Sequence, residues 1–100
     1  MRALRWTPEA IQDREAIYEY IEADNPVAAM ALDELFEGAA GRLIEHPGLG
    51  RPGRIGGTRE LVAHQNYLLV YDVTNDLVRV LRVLHAARQW PSADPLTSGR

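Results

Sequence analysis

The sequence predicts an α+β domain in which an antiparallel helical hairpin packs on a small, twisted, mainly antiparallel sheet, in the order β-α-α-β-β-β. Three observations carry this. Residues 59–84 hold three runs rich in Val, Leu and Tyr, divided by short polar turns, as consecutive antiparallel strands require. Residues 8–45 hold two stretches with apolar side chains every three or four positions, each opened by a capping residue and a proline. Ahead of them, residues 2–6 alternate in polarity and are short enough for an edge strand.

In the first strand Leu4 and Trp6 share one face and Arg5 takes the other. Thr7-Pro8-Glu9 then opens a helix: Thr7 can cap, Pro8 lacks an N–H that the first turn does not use, and Glu9 suits the positive end of the dipole. This helix is read to about Asp24, with Ala10, Ile17 and Ile21 as its stripe and Tyr18 and Tyr20 beside it. Arg14 falls where the stripe calls for an apolar residue, so it is expected to lay its stem on apolar surface and its guanidinium in solvent.

Asp24-Asn25-Pro26 is a turn and a second helix start, with Asn25 as cap. The second helix, residues 26–45, repeats Ala29, Leu32, Phe36, Ala39 and Leu43 as a seam, and a hairpin so tightly joined needs a sheet to cover it. Gly38 and Gly41 inside it each cost about 1 kcal/mol against Ala. Close packing on the first helix would be one reason to accept them.

The stretch PGLGRPGRIGG, with two prolines and five glycines, reads as a loop that presents Arg51 and Arg54 beside the next strand. It lacks the lysine and following Ser or Thr of a P-loop. The strands are read as residues 59–63, 67–73 and 77–84, with Thr74-Asn75-Asp76 as a hairpin turn. Strict alternation puts Val78, Val80, Arg82 and Leu84 on one face of the last strand and Leu77, Arg79, Leu81, Val83 and His85 on the other. Both faces are mostly apolar, which marks an interior strand. Beyond Leu84 the chain turns polar and cationic, with His85, Arg88, Gln89 and Trp90.

Residues 1–91 are therefore one domain, and the polar, aperiodic tail 92–100 is expected to be disordered. Cysteine is absent, which excludes a disulfide framework, a thiol nucleophile and a zinc–thiolate site; no metal or cofactor is expected. There is no apolar run of membrane-spanning length and no signal-like start, so the expectation is a soluble cytoplasmic protein without a membrane partner. Charge is uneven: residues 1–50 carry ten acids against four arginines, net −6, and residues 51–100 carry seven arginines against four acids, net +3. An acidic helical half thus adjoins a basic strand half.

This order of parts, with the Arg-Glu-Leu-Val strand, the phrase HQNYLLVYDV and the terminal RVLHAARQWP, resembles the RelE/ParE superfamily, the toxins of bacterial type II toxin–antitoxin modules. The resemblance covers roughly residues 2–91, and HAARQWP is more similar to the ParE-like branch than to RelE or YoeB. It implies a cognate antitoxin whose C-terminal segment wraps the helix–sheet surface, and for the ParE-like branch a non-enzymatic poisoning of DNA gyrase and a role in plasmid stabilisation. The alternative it implies is a ribosome-dependent mRNA endoribonuclease; a third reading is a module without toxicity.

Carried over by position, the resemblance makes His85, Arg59 and Arg82 the catalytic candidates of a nuclease. It makes Arg88, Trp90, His85, Arg51 and Arg54 the candidates for target binding, and Leu32, Phe36, Tyr67 and Tyr71 those for antitoxin binding. Trp90 stands where several ribonuclease members have a tyrosine, and indole does not exchange a proton at a useful pKa. The loop before residue 59 also offers no glutamate base. Plainer roles stay open: ion pairs of Arg59 and Arg82 with Glu60, Asp72 or the acidic helices, a His85 satisfied by backbone at a strand end, His46 and His64 as turn or surface residues, and Trp90 as a packing anchor.

Overall fold

The computed structural model describes residues 2–87. They form β1 (Ala3–Trp6), α1 (Pro8–Glu22), α2 (Pro26–Arg42), β2 (Arg51–Pro52), β3 (Arg59–His64), β4 (Tyr67–Val73) and β5 (Leu77–His85). The five strands lie in one sheet in the order β1-β5-β4-β3-β2. β1 is an edge strand, parallel to β5 with Ala3 opposite Leu77; every other pairing is antiparallel, and β5 is interior as its two apolar faces require.

Both helices start at the predicted caps: the Thr7 hydroxyl accepts from the Ala10 N–H at 3.1 Å and the Asn25 side chain from the Ala28 N–H at 3.1 Å. α2 ends at Arg42 rather than near Glu45, because its last turn tightens into bonds from the Leu43 N–H to Ala40 and the Ile44 N–H to Gly41. The hairpin covers one face of the sheet. There Ala10, Leu32, Phe36, Ala39, Ala40 and Leu43 are buried against Leu61, Leu69, Tyr71, Val78, Val80 and Val83. Leu68, Val70 and Leu84 form a smaller cluster with Leu81.

Strict alternation along β5 fails at one residue. Val70 faces Arg82 while its neighbour Tyr71 faces Val80, so Leu81 is an extra residue, a β-bulge. Beyond it the faces exchange: Val83 joins Val78 and Val80 under the helices, and Leu84 joins Leu81 in the smaller cluster. Thr7 donates its hydroxyl to the Leu81 carbonyl at 3.0 Å, so one side chain both caps α1 and satisfies the bulge.

Three further expectations are corrected. Arg14 does not reach into solvent: its guanidinium donates to both Asp33 oxygens at 3.0 and 2.8 Å and sits 4.4 Å from the centroid of the Trp6 ring, tying α1 to α2 and β1. Gly38 and Gly41 are exposed, and a Cβ at either would meet nothing within 4 Å, so close packing does not explain them. The loop after α2 contains β2, which pairs Arg51 with Glu60 and Pro52 with Arg59 at the sheet edge, where a proline is tolerated.

That loop is fastened to the core by Tyr71, whose hydroxyl accepts from the Gly50 N–H at 2.9 Å and donates to the Pro47 carbonyl at 2.8 Å. Gly50 has to be glycine here, since a Cβ would lie 2.7 Å from the Glu60 carbonyl and 2.8 Å from the Tyr71 hydroxyl.

Candidate functional site

The chemistry-bearing side chains gather where β3, β4 and β5 end together. Tyr67 opens β4 and is paired with His64 of β3 and His85 of β5. Its ring meets His85 edge-on, with centroids 5.1 Å apart at 73°, and Phe36 of the core at 5.7 Å and 73°; the His64 ring lies 6.2 Å away on its other flank. His85 is exposed, and its Nδ1 accepts from the Ala87 N–H at 3.1 Å. The plain expectation for His85, a strand-end imidazole satisfied by backbone, describes what the structure holds.

Two depressions border this cluster. A groove of about 380 Å³ runs between the hairpin and the strand ends, with Ile21, Leu32 and Leu35 on the helical side and His64, Tyr67 and His85 opposite. A second of about 260 Å³ lies between α1 and β5, with Asp13, Ile17 and Tyr20 facing Tyr67, Val83 and His85. Tyr20 is 81% exposed and Leu35 47%, so the rim carries uncovered apolar surface.

Of the three catalytic candidates Arg59 lies apart, while Arg82 is held by Asp13, which borders the same depression as His85. Arg82 gives its guanidinium to Asp13 of α1, Nε to Oδ2 at 2.7 Å and Nη2 to Oδ1 at 3.1 Å, and the Val83 N–H donates to the same carboxylate at 2.9 Å. The hydrogen bond that Arg82 donates to Asp13 holds its guanidinium above its ordinary pKa, against a smaller opposing effect of partial burial. Arg59 donates to the Gly50 carbonyl at 2.7 Å. It pairs with Tyr71, four residues along β4 from the Tyr67 that pairs with His85, a separation of about 13 Å at the usual rise.

Arg51 and Arg54 surround Glu60, whose side chain is 1% exposed and lies 3.3 Å from Arg51 Nη2 and 3.7 Å from Arg54 Nε. Glu60 also accepts from the Arg54 N–H at 3.2 Å, so the loop folds around a buried carboxylate that needs these donors. Both guanidinium groups are partly exposed beyond that contact. Arg88 and Trp90 lie outside the described residues.

Of the residues expected to meet an antitoxin, Leu32 and Tyr67 line the larger groove. Phe36 and Tyr71 do not: they are 1% and 0% exposed, so their rings hold the hairpin to the sheet and offer no surface. Reading the sequence alone missed Asp13, Tyr20, Leu35 and Asn66. The sequence places Tyr20 only beside the apolar stripe of α1, and the ion pair left open between Arg82 and the acidic helices is the one that Asp13 makes, though no local signal singles out Asp13 among their acids. Among the described residues no group of three or more potential ligands could hold a metal, and no helix is long and apolar enough to cross a membrane.

The family model described as ParE toxin of type II toxin-antitoxin system, parDE, matches residues 4–90. The protein Y4kP of Sinorhizobium fredii is 43% identical over 91 residues, spanning 90% of this chain and 94% of that one. Toxin RelE2 of Caulobacter vibrioides is 38% identical over 88 residues, spanning 88% and 99%. Among solved structures, the chromosomal ParDE TA system from P. aeruginosa superimposes with a TM-score of 0.76 at 25% identity, over 85% of this chain and 96% of that one.

Proposed function

The chain belongs to the ParE toxin family of type II toxin–antitoxin systems, and from that premise we propose that it arrests growth by binding and poisoning DNA gyrase in the cytoplasm, not by cutting RNA. The observation that carries this reading is the disposition of the three nuclease candidates. An endoribonuclease needs a cation beside its general base to meet the charge that develops on phosphate. Here Arg82 is committed to Asp13, and Arg59 is bound to the Gly50 carbonyl at the far end of β4. The binding surface is then the C-terminal extension with Arg88 and Trp90, a cationic and aromatic pair of the kind that anchors interfaces.

The cognate antitoxin, on this reading, lays an amphipathic segment along the groove beside Ile21, Leu32, Leu35 and Tyr67. The ParDE relative is itself a toxin–antitoxin system, which supports a partner of this kind. An mRNA endoribonuclease is the second reading, favoured by His85: with Nδ1 occupied by backbone, Nε2 of an exposed imidazole is left for proton transfer.

Induction of the chain in bacteria, followed by parallel reporters of DNA damage and of protein synthesis, tests the choice. Gyrase poisoning raises the damage response before synthesis falls. A fall in synthesis first, with cut messages and no damage response, would replace it with the endoribonuclease.

A further inference from the structure

An interior strand has a neighbour on each side, but β5 has two only over its first half. β1 pairs with residues 77–80 and ends at Trp6. Beyond that point β5 runs on through Leu81, Arg82, Val83 and Leu84 to His85 with β4 alone beside it. Its peptide groups alternate along this stretch. The Ala86 N–H donates toward β4, to the Asn66 carbonyl at 2.7 Å, so Leu84 turns the same way while Val83 and His85 turn outward. Outward peptide groups on an uncovered edge are a template on which another strand can add.

Side chains of α1 occupy that template. The Thr7 N–H donates to the Val80 carbonyl at 3.0 Å, and the Thr7 hydroxyl donates to the Leu81 carbonyl at 3.0 Å. Asp13, two turns further along the helix, accepts from the Val83 N–H at 2.9 Å and holds the Arg82 guanidinium with both oxygens. The chain thus leaves the sheet as β1 and goes on serving its edge from a helix. The other edges are blunted by different means: β1 is four residues long and carries Arg5, β2 is two residues long and includes Pro52, and β3 is irregular between Val62 and His64. The second half of β5, rich in Leu and Val, is the stretch with most need of a block.

We propose that Thr7 and Asp13 block the outer edge of β5, finishing it with side chains so that a second copy of this chain cannot add its own β5 there. The contact they prevent is isologous, β5 against β5. Asp13 carries the larger part. Its carboxylate leaves Val83 with no free donor, and a buried charge must be stripped of its partners before a strand can approach. Pairing at this edge would also cover the depression between Ile17, Tyr20, Tyr67 and His85, which Asp13 and Val83 border. The block therefore keeps that surface open to partners of another kind, whatever the target of the chain.

Three substitutions in the full chain separate an edge effect from lost stability. Asp13→Ala removes the acceptor and leaves the edge bare. Asp13→Asn keeps an acceptor oxygen for Val83. Asp13→Lys removes the acceptor and is at least as disruptive, since it sets a second cation beside Arg82, but it leaves a charge at the edge, which strands avoid. All three are made in a Gly38→Ala, Gly41→Ala background, where both added methyl groups meet open space and favour the helix, so that the fold is kept. Sedimentation velocity across the micromolar range and exchange of the Val83 amide by NMR are measured for each.

The background chain and Asp13→Asn should sediment as monomers with a protected Val83 amide. Dilute Asp13→Ala should lose about tenfold in protection at Val83, the equivalent of one hydrogen bond. As its concentration rises it should form a dimer, and protection at Val83 should return. Asp13→Lys should show the same unprotected amide and stay monomeric. An Asp13→Ala variant that remains monomeric with Val83 unprotected at every concentration overturns the proposal. So does association of Asp13→Ala and Asp13→Lys to the same extent, because lost stability and not the bare edge would then be the cause. A background chain that is already dimeric, with Val83 protection rising with concentration, overturns it as well.

Discussion

Removing the Asp13 carboxylate tests the contact that joins α1 to the bulged end of β5. Three donors converge on it, two from Arg82 and one from the Val83 backbone, at 2.7 to 3.1 Å. Hydrogen bonds to a charged group contribute about 1.5–3 kcal/mol each, but three on one carboxylate do not add. The side chains of Arg82 and Asp13 are 28% and 16% exposed, so solvent screens part of the attraction. The cost expected for Asp13→Ala is accordingly about 2–3 kcal/mol, equivalent to a fall in melting temperature of roughly 10–20 °C in a domain of this size. Asp13→Asn keeps one acceptor oxygen and should cost about half as much. Urea unfolding of the two variants beside the parent measures this, with the midpoint moved and the slope unchanged. Arg82 is raised in the folded state, so its share of the pairing is fully present below the ordinary arginine pKa and is lost only above it. Varying pH between about 6 and 9 should therefore not release Arg82. An Asp13→Ala variant within about 0.5 kcal/mol of the parent would refute the reasoning, because surface substitutions cost no more than that.

Other expectations follow from single contacts. Gly38→Ala and Gly41→Ala meet no atom within 4 Å on an exposed helix face, so each should stabilise the fold by about 0.5–1 kcal/mol, read as a raised urea midpoint. Tyr71→Phe removes the hydroxyl that links Gly50 and Pro47 and should cost about 1–3 kcal/mol, with faster amide exchange at Gly50. Phe36→Ala empties a site that is 1% exposed and should cost about 3–5 kcal/mol, part of which a bound antitoxin restores in a thermal melt.

Most of the fold was legible in the sequence because it depends on signals local in the chain. Thr7-Pro8 and Asn25-Pro26 mark where the helices begin, and the three- and four-residue spacing of Ala29, Leu32, Phe36 and Ala39 marks the face that is buried. The bulge at Leu81 leaves no such mark, since an apolar residue there fits either face, and only the pairing with Val70 and Tyr71 shows that the alternation skips. The site was harder for the same reason. His85 stands out as the point where an apolar strand turns polar, but Asp13 and Arg82 are 69 residues apart, and nothing along the chain joins them. Arg14 reads as a misplaced charge on an apolar stripe until the hairpin brings Asp33 to it and β1 sets Trp6 beside it. Asn66 matters through its backbone, which no side-chain pattern reports.

Action by binding is the central proposal, and purified gyrase offers the direct test. The chain, released from its antitoxin, is added to gyrase, ATP and plasmid DNA in the absence of ribosomes, and supercoiling is followed together with the yield of cleaved plasmid. Poisoning by binding predicts loss of supercoiling with accumulation of enzyme-linked cleaved DNA, an effect abolished by Arg88→Ala or Trp90→Ala and reversed by adding antitoxin. Gyrase that is untouched by the chain at concentrations that cut mRNA in a ribosome-containing extract would contradict it.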